Sequence, residues 1–82
     1  MNRILIVEDE AKLAALEADY LKAEGFEPHC IANGLEAVPW VRENKPDLIL
    51  LDLMLPGRDG LDICKEIRSF SDVPIEIGRA HV

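Results

Sequence analysis

The sequence predicts an α/β domain built on a parallel β-sheet, and three features predict it. Short apolar runs recur at residues 3–7 (RILIV), 46–51 (PDLILL) and 71–75 (SDVPI), with a less regular one at 26–32 (FEPHCIA). The segments between them carry apolar residues at helical spacing. Gly, Pro, Asn or Asp stand at most of the joins. Strands that alternate with helices form parallel sheets, because a parallel crossover needs about a dozen residues and a helix is the usual way to span it.

At 82 residues the chain suits one small domain or a piece of one. Hydrophobic residues make up 49% and charged residues 30%, a globular balance, and with only 5% aromatic the core must be aliphatic. The net charge of −7 argues against a nucleic-acid-binding surface on this segment and suits a cationic partner or a metal ion. No apolar run approaches the ~18 residues that span a bilayer, and the first residues lack the apolar region of a signal peptide. A cytoplasmic protein without membrane association is expected. Cys30 and Cys64 lie far apart with no ligand cluster beside them, so they read as reduced, packed thiols. His29 and His81 are equally isolated and receive no role.

Each element has its own warrant. RILIV is short, apolar and rich in branched residues, as a buried strand should be. In the segment that follows, Leu13, Leu16, Tyr20 and Leu21 recur at helical spacing, and Gly25 sits where a helix stop belongs. FEPHCIA contains Pro28, which cannot donate to a ladder, so this second strand should lie at a sheet edge. NGLEAVPWVREN is a turn and a second helix with Ala37, Val38, Trp40 and Val41 as its apolar face. Pro39 removes a backbone donor there and predicts a kink or a late helix start. PDLILL runs through four apolar residues, Leu48 to Leu51, and is expected to be covered on both faces. After the Pro56-Gly57 turn, Asp59 can cap a third helix, with Asp62 in a capping-box-like position and Leu61, Cys64 and Ile67 as the apolar side. SDVPI starts a fourth strand.

With the apolar first and third strands interior and the second at an edge, the spatial order is 2-1-3. Connections are right-handed, and a crevice opens where the chain leaves strand one in opposite directions. The first strand ends in Glu8-Asp9 and the third in Asp52, so three carboxylates from distant parts of the chain converge on that crevice. Clustered like charges either take up protons or hold a cation. Oxygen-only ligands suit Mg²⁺, which keeps several waters and needs few direct carboxylates. A metal-bound carboxylate beside an anion-accepting crevice can accept a phosphoryl group. Taken alone, Glu8-Asp9-Glu10 also read as a complement to the dipole of the next helix, and Asp52 as a strand end that turns outward.

These residues resemble the receiver domains of bacterial two-component response regulators. The resemblance rests on Glu8-Asp9 after strand one, on the run DLMLPGRDG from Asp52 to Gly60, and on the SDVPI lead-in to strand four. It covers residues 2 to 75: three βα units and the start of a fourth strand out of five. Within the family the chain is most similar to receivers that precede a winged-helix DNA-binding domain, those of envelope-stress regulators among them. The resemblance implies a flavodoxin-like fold, order 2-1-3 with a partial fourth strand, in an incomplete receiver. It implies that Asp52 accepts a phosphoryl group from a phosphohistidine on a sensor histidine kinase. Asp9 would bind Mg²⁺ directly, Glu8 would bind it through water, and the backbone carbonyl of Met54 would add a further ligand. The result is a phosphoacceptor signalling domain rather than an enzyme, with the kinase and another receiver as protein partners.

The chain departs from that pattern after Ile75. Arg79 stands where the family needs Ser or Thr, the lysine that follows strand five has no counterpart, and Glu76 falls inside what should be a buried strand. Residues 1–75 therefore read as a truncated receiver and residues 76–82 (EIGRAHV) as a non-native tail, a heptapeptide resembling read-through of a sequencing adapter. One sheet face is then expected to be covered chiefly by the first helix, leaving an exposed edge.

Two other enzyme classes fit less well. A P-loop NTPase needs its Gly-rich phosphate loop after strand one, where residues 8–15 read EDEAKLAA. A haloacid-dehalogenase-type phosphatase wants a second Asp two residues after the first, where Met54 stands. The remaining alternative is a signalling-incompetent module that only binds a kinase or another receiver.

Overall fold

The structure is a computed structural model and describes residues 2–52 and 59–78. Seven elements alternate: β1 (Arg3–Val7), α1 (Ala11–Ala23), β2 (Glu27–Ile31), α2 (Gly34–Asn44), β3 (Leu48–Asp52), α3 (Gly60–Arg68) and β4 (Ile75–Gly78). All strand pairs are parallel, in the order β2-β1-β3-β4. Pro28 does lie on an edge strand, opposite Ile4.

Handedness distributes the helices. From β1 the chain steps one way to β2; from β2 it crosses back over β1 to β3 and continues to β4. Right-handed crossovers in opposite directions put α1 on one face of the sheet and α2 with α3 on the other. The core follows from this. Leu5, Val7, Ile49 and Leu51 pack on the α2–α3 face against Ala37, Val38, Val41, Ile63 and Ile67. Ile4 and Ile6 are buried as well, as a central strand covered on both faces requires.

Local chemistry sets the ends of the helices. The Asn33 side chain accepts from the backbone N–H of Leu35 at 2.8 Å, and the Asp59 side chain from that of Leu61 at 3.0 Å, so both are N-caps. At the end of α1, Gly25 adopts φ +93°; its N–H donates to the Lys22 carbonyl and that of Phe26 to the Leu21 carbonyl. These are the paired bonds of a Schellman stop, which needs a left-handed residue. The Arg42 guanidinium lies 4.1 Å from the centroid of the Phe70 ring, tying α2 to the chain after α3. On the β2 edge, His29 stacks on Trp40 with centroids 4.5 Å apart.

The structure corrects several expectations. β3 is not covered on both faces: Ile49 and Leu51 are buried, whereas Leu48 and Leu50 are half-buried. They line an open groove of about 390 Å³ with Leu16, Tyr20 and Leu21, because α1 is the single helix on that face among the described residues. Leu16 and Tyr20 are correspondingly 67% exposed, and α1 buries Ala14 instead. Glu76 is exposed on β4 and lines the same groove, so its carboxylate stays in water. On α3 the buried side is Ile63 and Ile67, while Leu61 faces outward. Pro39 does not delay α2, which starts five residues earlier at Gly34. It sits on the exposed side, where water can take the carbonyl bond that the missing N–H would have made. The Pro56-Gly57 turn lies outside the described residues.

The burial pattern of α3 predicts a contrast. Ile63→Ala should destabilise the domain by about 2–5 kcal/mol, the cost of an aliphatic truncation in a packed core. Leu61→Ala, on the solvent side, should change stability by about 0.5 kcal/mol or less. Urea titrations of both variants check this, and equal losses would place the apolar side of α3 wrongly.

Candidate functional site

The site is built by the pairing of β1 with β3. Val7 stands level with Leu51, so the next residue on each strand, Glu8 and Asp52, emerges at the same height at the carboxyl end of the sheet. The register is fixed at the other end of the strands. The Asp47 carboxylate accepts from the Arg3 backbone N–H at 2.8 Å, and the Asp47 N–H donates to the Arg3 carbonyl at 2.7 Å. The Arg3 guanidinium donates to the Asn44 carbonyl at 3.2 Å, which joins the end of α2 to β1.

Glu8 and Asp52 are buried, 4% and 3% exposed, while Asp9 is exposed. One carboxylate oxygen from each of the three lies within 4.8 Å of the others. The Glu8 backbone N–H donates to the Ile31 carbonyl at 3.0 Å, which pins the chain after β1 to the end of β2. Its carboxylate accepts from the Glu10 N–H at 3.0 Å, just ahead of α1. Glu10 itself makes no side-chain cap, so the acidic run divides its roles. Glu8 supports the helix start while lying beside Asp52, and Asp9 is left at the mouth of the crevice.

Two ionised carboxylates separated by 4.8 Å repel by about 3 kcal/mol at an effective dielectric of about 20. A cation placed among three of them reverses the sign of that interaction. The donor set is oxygen only, part buried and part open to solvent, which suits a hard divalent cation that retains waters. Of the expected site residues, the structure thus brings together Glu8, Asp9 and Asp52. Met54, the fourth, lies outside the described residues.

One neighbour was missed. Behind the cluster is a cavity of about 30 Å³, room for a single water, walled by Val7, Glu8, Glu17, Leu50, Leu51, Asp52 and Gly78. Glu17 enters it from α1. The signal was present in the sequence: Glu17 stands four residues after Leu13 and four before Leu21, a charge inside the stripe that faces the sheet. Glu17 also acts on Cys30, whose thiol is pushed above its ordinary value chiefly by burial and then by the Glu17 charge, with Lys22 acting in the opposite direction.

Comparison with known proteins agrees with this geometry. The family described as the response regulator receiver domain matches residues 4–81. The transcriptional regulatory protein BaeR of Escherichia coli is 58% identical over 80 residues, which are 98% of this chain and 33% of that protein. The DNA-binding response regulator MtrA of Mycobacterium tuberculosis is 51% identical over 74 residues, 90% of this chain and 32% of that protein. The chain therefore spans about a third of the length of these curated relatives. Among solved structures, the BeF3-activated N-terminal receiver domain of Klebsiella pneumoniae RstA superposes with a TM-score of 0.89 at 37% identity, covering 93% of this chain and 65% of that one. No helix among the described residues is long and apolar enough to cross a membrane. With a flavodoxin-like sheet, an acidic crevice at its switch point and a family match over nearly the whole chain, this protein belongs to the response regulator receiver domain family.

Proposed function

We propose that the chain is a phosphoacceptor of two-component signalling, in which Asp52 takes a phosphoryl group from a phosphohistidine on a sensor histidine kinase. The observation that carries this reading is the convergence of Glu8, Asp9 and Asp52 carboxylate oxygens within 4.8 Å at the end of the sheet. An Asp52 oxygen forms the new bond to phosphorus, the bond from phosphorus to the histidine nitrogen breaks, and that nitrogen keeps the electron pair. The product is an acyl phosphate on Asp52. Burial at the strand end holds the Asp52 carboxylate in one place, so the chain contributes positioning rather than acid–base chemistry.

Asp9 is the direct protein ligand for Mg²⁺ in this reading, Glu8 acts through water, and Asp52 and the carbonyl of Met54 complete the protein donors. When bound, the ion offsets negative charge on the incoming phosphoryl group and on the carboxylates around it. Kinase and sibling receivers are the proposed partners, the cytoplasm the proposed location, and neither nucleic acid nor membrane is contacted through this segment. The same reading takes residues 1–75 as receiver sequence and 76–82 as a non-native tail. Its support is the end of the buried pattern at Ile75, since Glu76 and Ile77 are both exposed. Genomic DNA continuous through the codon for Ile75 would contradict that boundary.

A small acyl-phosphate donor with Mg²⁺ should add one phosphoryl group to the wild-type chain, read by intact mass, and none to Asp52→Asn. Equal labelling of both would leave the chain as a binding module without this chemistry. Charge repulsion also predicts a stability pattern. In metal-free buffer Asp52→Asn should be more stable than wild type by about 1–3 kcal/mol, since the buried like charge is gone. Mg²⁺ at ten times its Kd should raise wild-type stability by about 1.4 kcal/mol and leave Asp52→Asn nearly unchanged. Thermal melts with and without chelator check both signs.

A further inference from the structure

Glu17 has no place in the proposed chemistry, yet it shares a wall with the two buried carboxylates of the crevice. Its helix brings it to the cavity that Glu8 and Asp52 also line, so these two have Glu17 as an acidic neighbour in addition to Asp9. The cavity that Glu17 shares with Glu8 and Asp52 is small, with room for about one water. On its other flank Glu17 lines the open groove formed by Leu16, Tyr20, Leu21, Leu48, Leu50 and Glu76, so apolar side chains and solvent both border it there. A half-buried charge beside a small cavity is screened less than one in open water.

We infer that Glu17 is an electrostatic determinant of cation affinity at the crevice: a carboxylate that does not ligate the ion but strengthens its binding from behind the cluster. This rests on the phosphoacceptor reading, because it concerns the cation site that reading requires. The charge at position 17 also bears on the Cys30 thiol beside the same helix, where it adds to the effect of burial. The Cys30 Sγ donates to the Ala14 carbonyl on the same helix at 3.8 Å, so β2 and α1 are in contact there. A negative charge beside a divalent-cation site, partly shielded by protein, changes affinity several-fold.

Isothermal titration of Mg²⁺ into the whole chain tests the inference, with Asp19→Asn as the control. Asp19 lies on the same helix, is exposed, and loses the same unit of charge when substituted. Glu17→Gln should weaken Mg²⁺ binding roughly 3- to 10-fold at moderate ionic strength, while Asp19→Asn stays within about twofold of wild type because its charge is screened. Glu17→Asp, which keeps the charge, should stay close to wild type even if packing around α1 shifts. Unchanged affinity in Glu17→Gln, an equal loss in Asp19→Asn, or an equal loss in Glu17→Asp each overturns the inference. Asp52→Asn separates the two levels. Loss of binding there with Glu17→Gln unchanged overturns only the role of Glu17. Binding as tight in Asp52→Asn as in wild type, or absent from both, removes the phosphoacceptor reading together with the inference.

Discussion

The parallel register of β1 against β3 is the constraint on which the rest depends. Side chains alternate along a strand, so a slip of one residue would turn Leu5, Val7, Ile49 and Leu51 out of the core they share with α2 and α3. The same slip would put Glu8 out of step with Asp52. Core packing and site assembly are thus enforced by one alignment. The reciprocal bonds between Arg3 and Asp47 set that alignment at the end of the strands remote from the acids.

The site and the fold make opposite demands. Burying Glu8 and Asp52 side by side works against folding, and the aliphatic core around them supplies the stability that tolerates it. Local bonding reduces the conflict at Glu8, whose carboxylate accepts the Glu10 N–H and whose own N–H meets the Ile31 carbonyl. A cation would reduce it further by turning repulsion into attraction. The α1 face is less settled. Leu48 and Leu50 form a half-open apolar surface with Leu16 and Tyr20, and Glu17 lies between that surface and the acids. Whatever covers the groove would change the dielectric around Glu17 and with it the crevice.

Much of this was legible in the residues. Pro28 marked the edge strand and the apolar runs marked the interior ones, which together dictated the strand order and therefore the meeting of Glu8, Asp9 and Asp52. Asp59 and Gly25 announced a cap and a stop through known backbone requirements. What could not be read was how far each helix would be covered. Periodicity places Leu16, Tyr20 and Leu61 on apolar sides, but burial depends on a partner element, and none of the described elements lies over them. Pro39 did not delay the start of its helix for a related reason: its cost depends on whether water reaches the orphaned carbonyl, and an exposed flank removes most of it. Glu17 was passed over because a single charge in a helical stripe reads as noise until the cavity behind it is seen.

The most direct measurement of the central claim is the position of a divalent ion in a crystal of the chain soaked with Mn²⁺, found by anomalous scattering. One strong peak is expected at the carboxyl end of the sheet, within coordination distance of the carboxylates of Asp9 and Asp52 and close to Glu8. A peak elsewhere, or none with the crevice open to the soak, would contradict it.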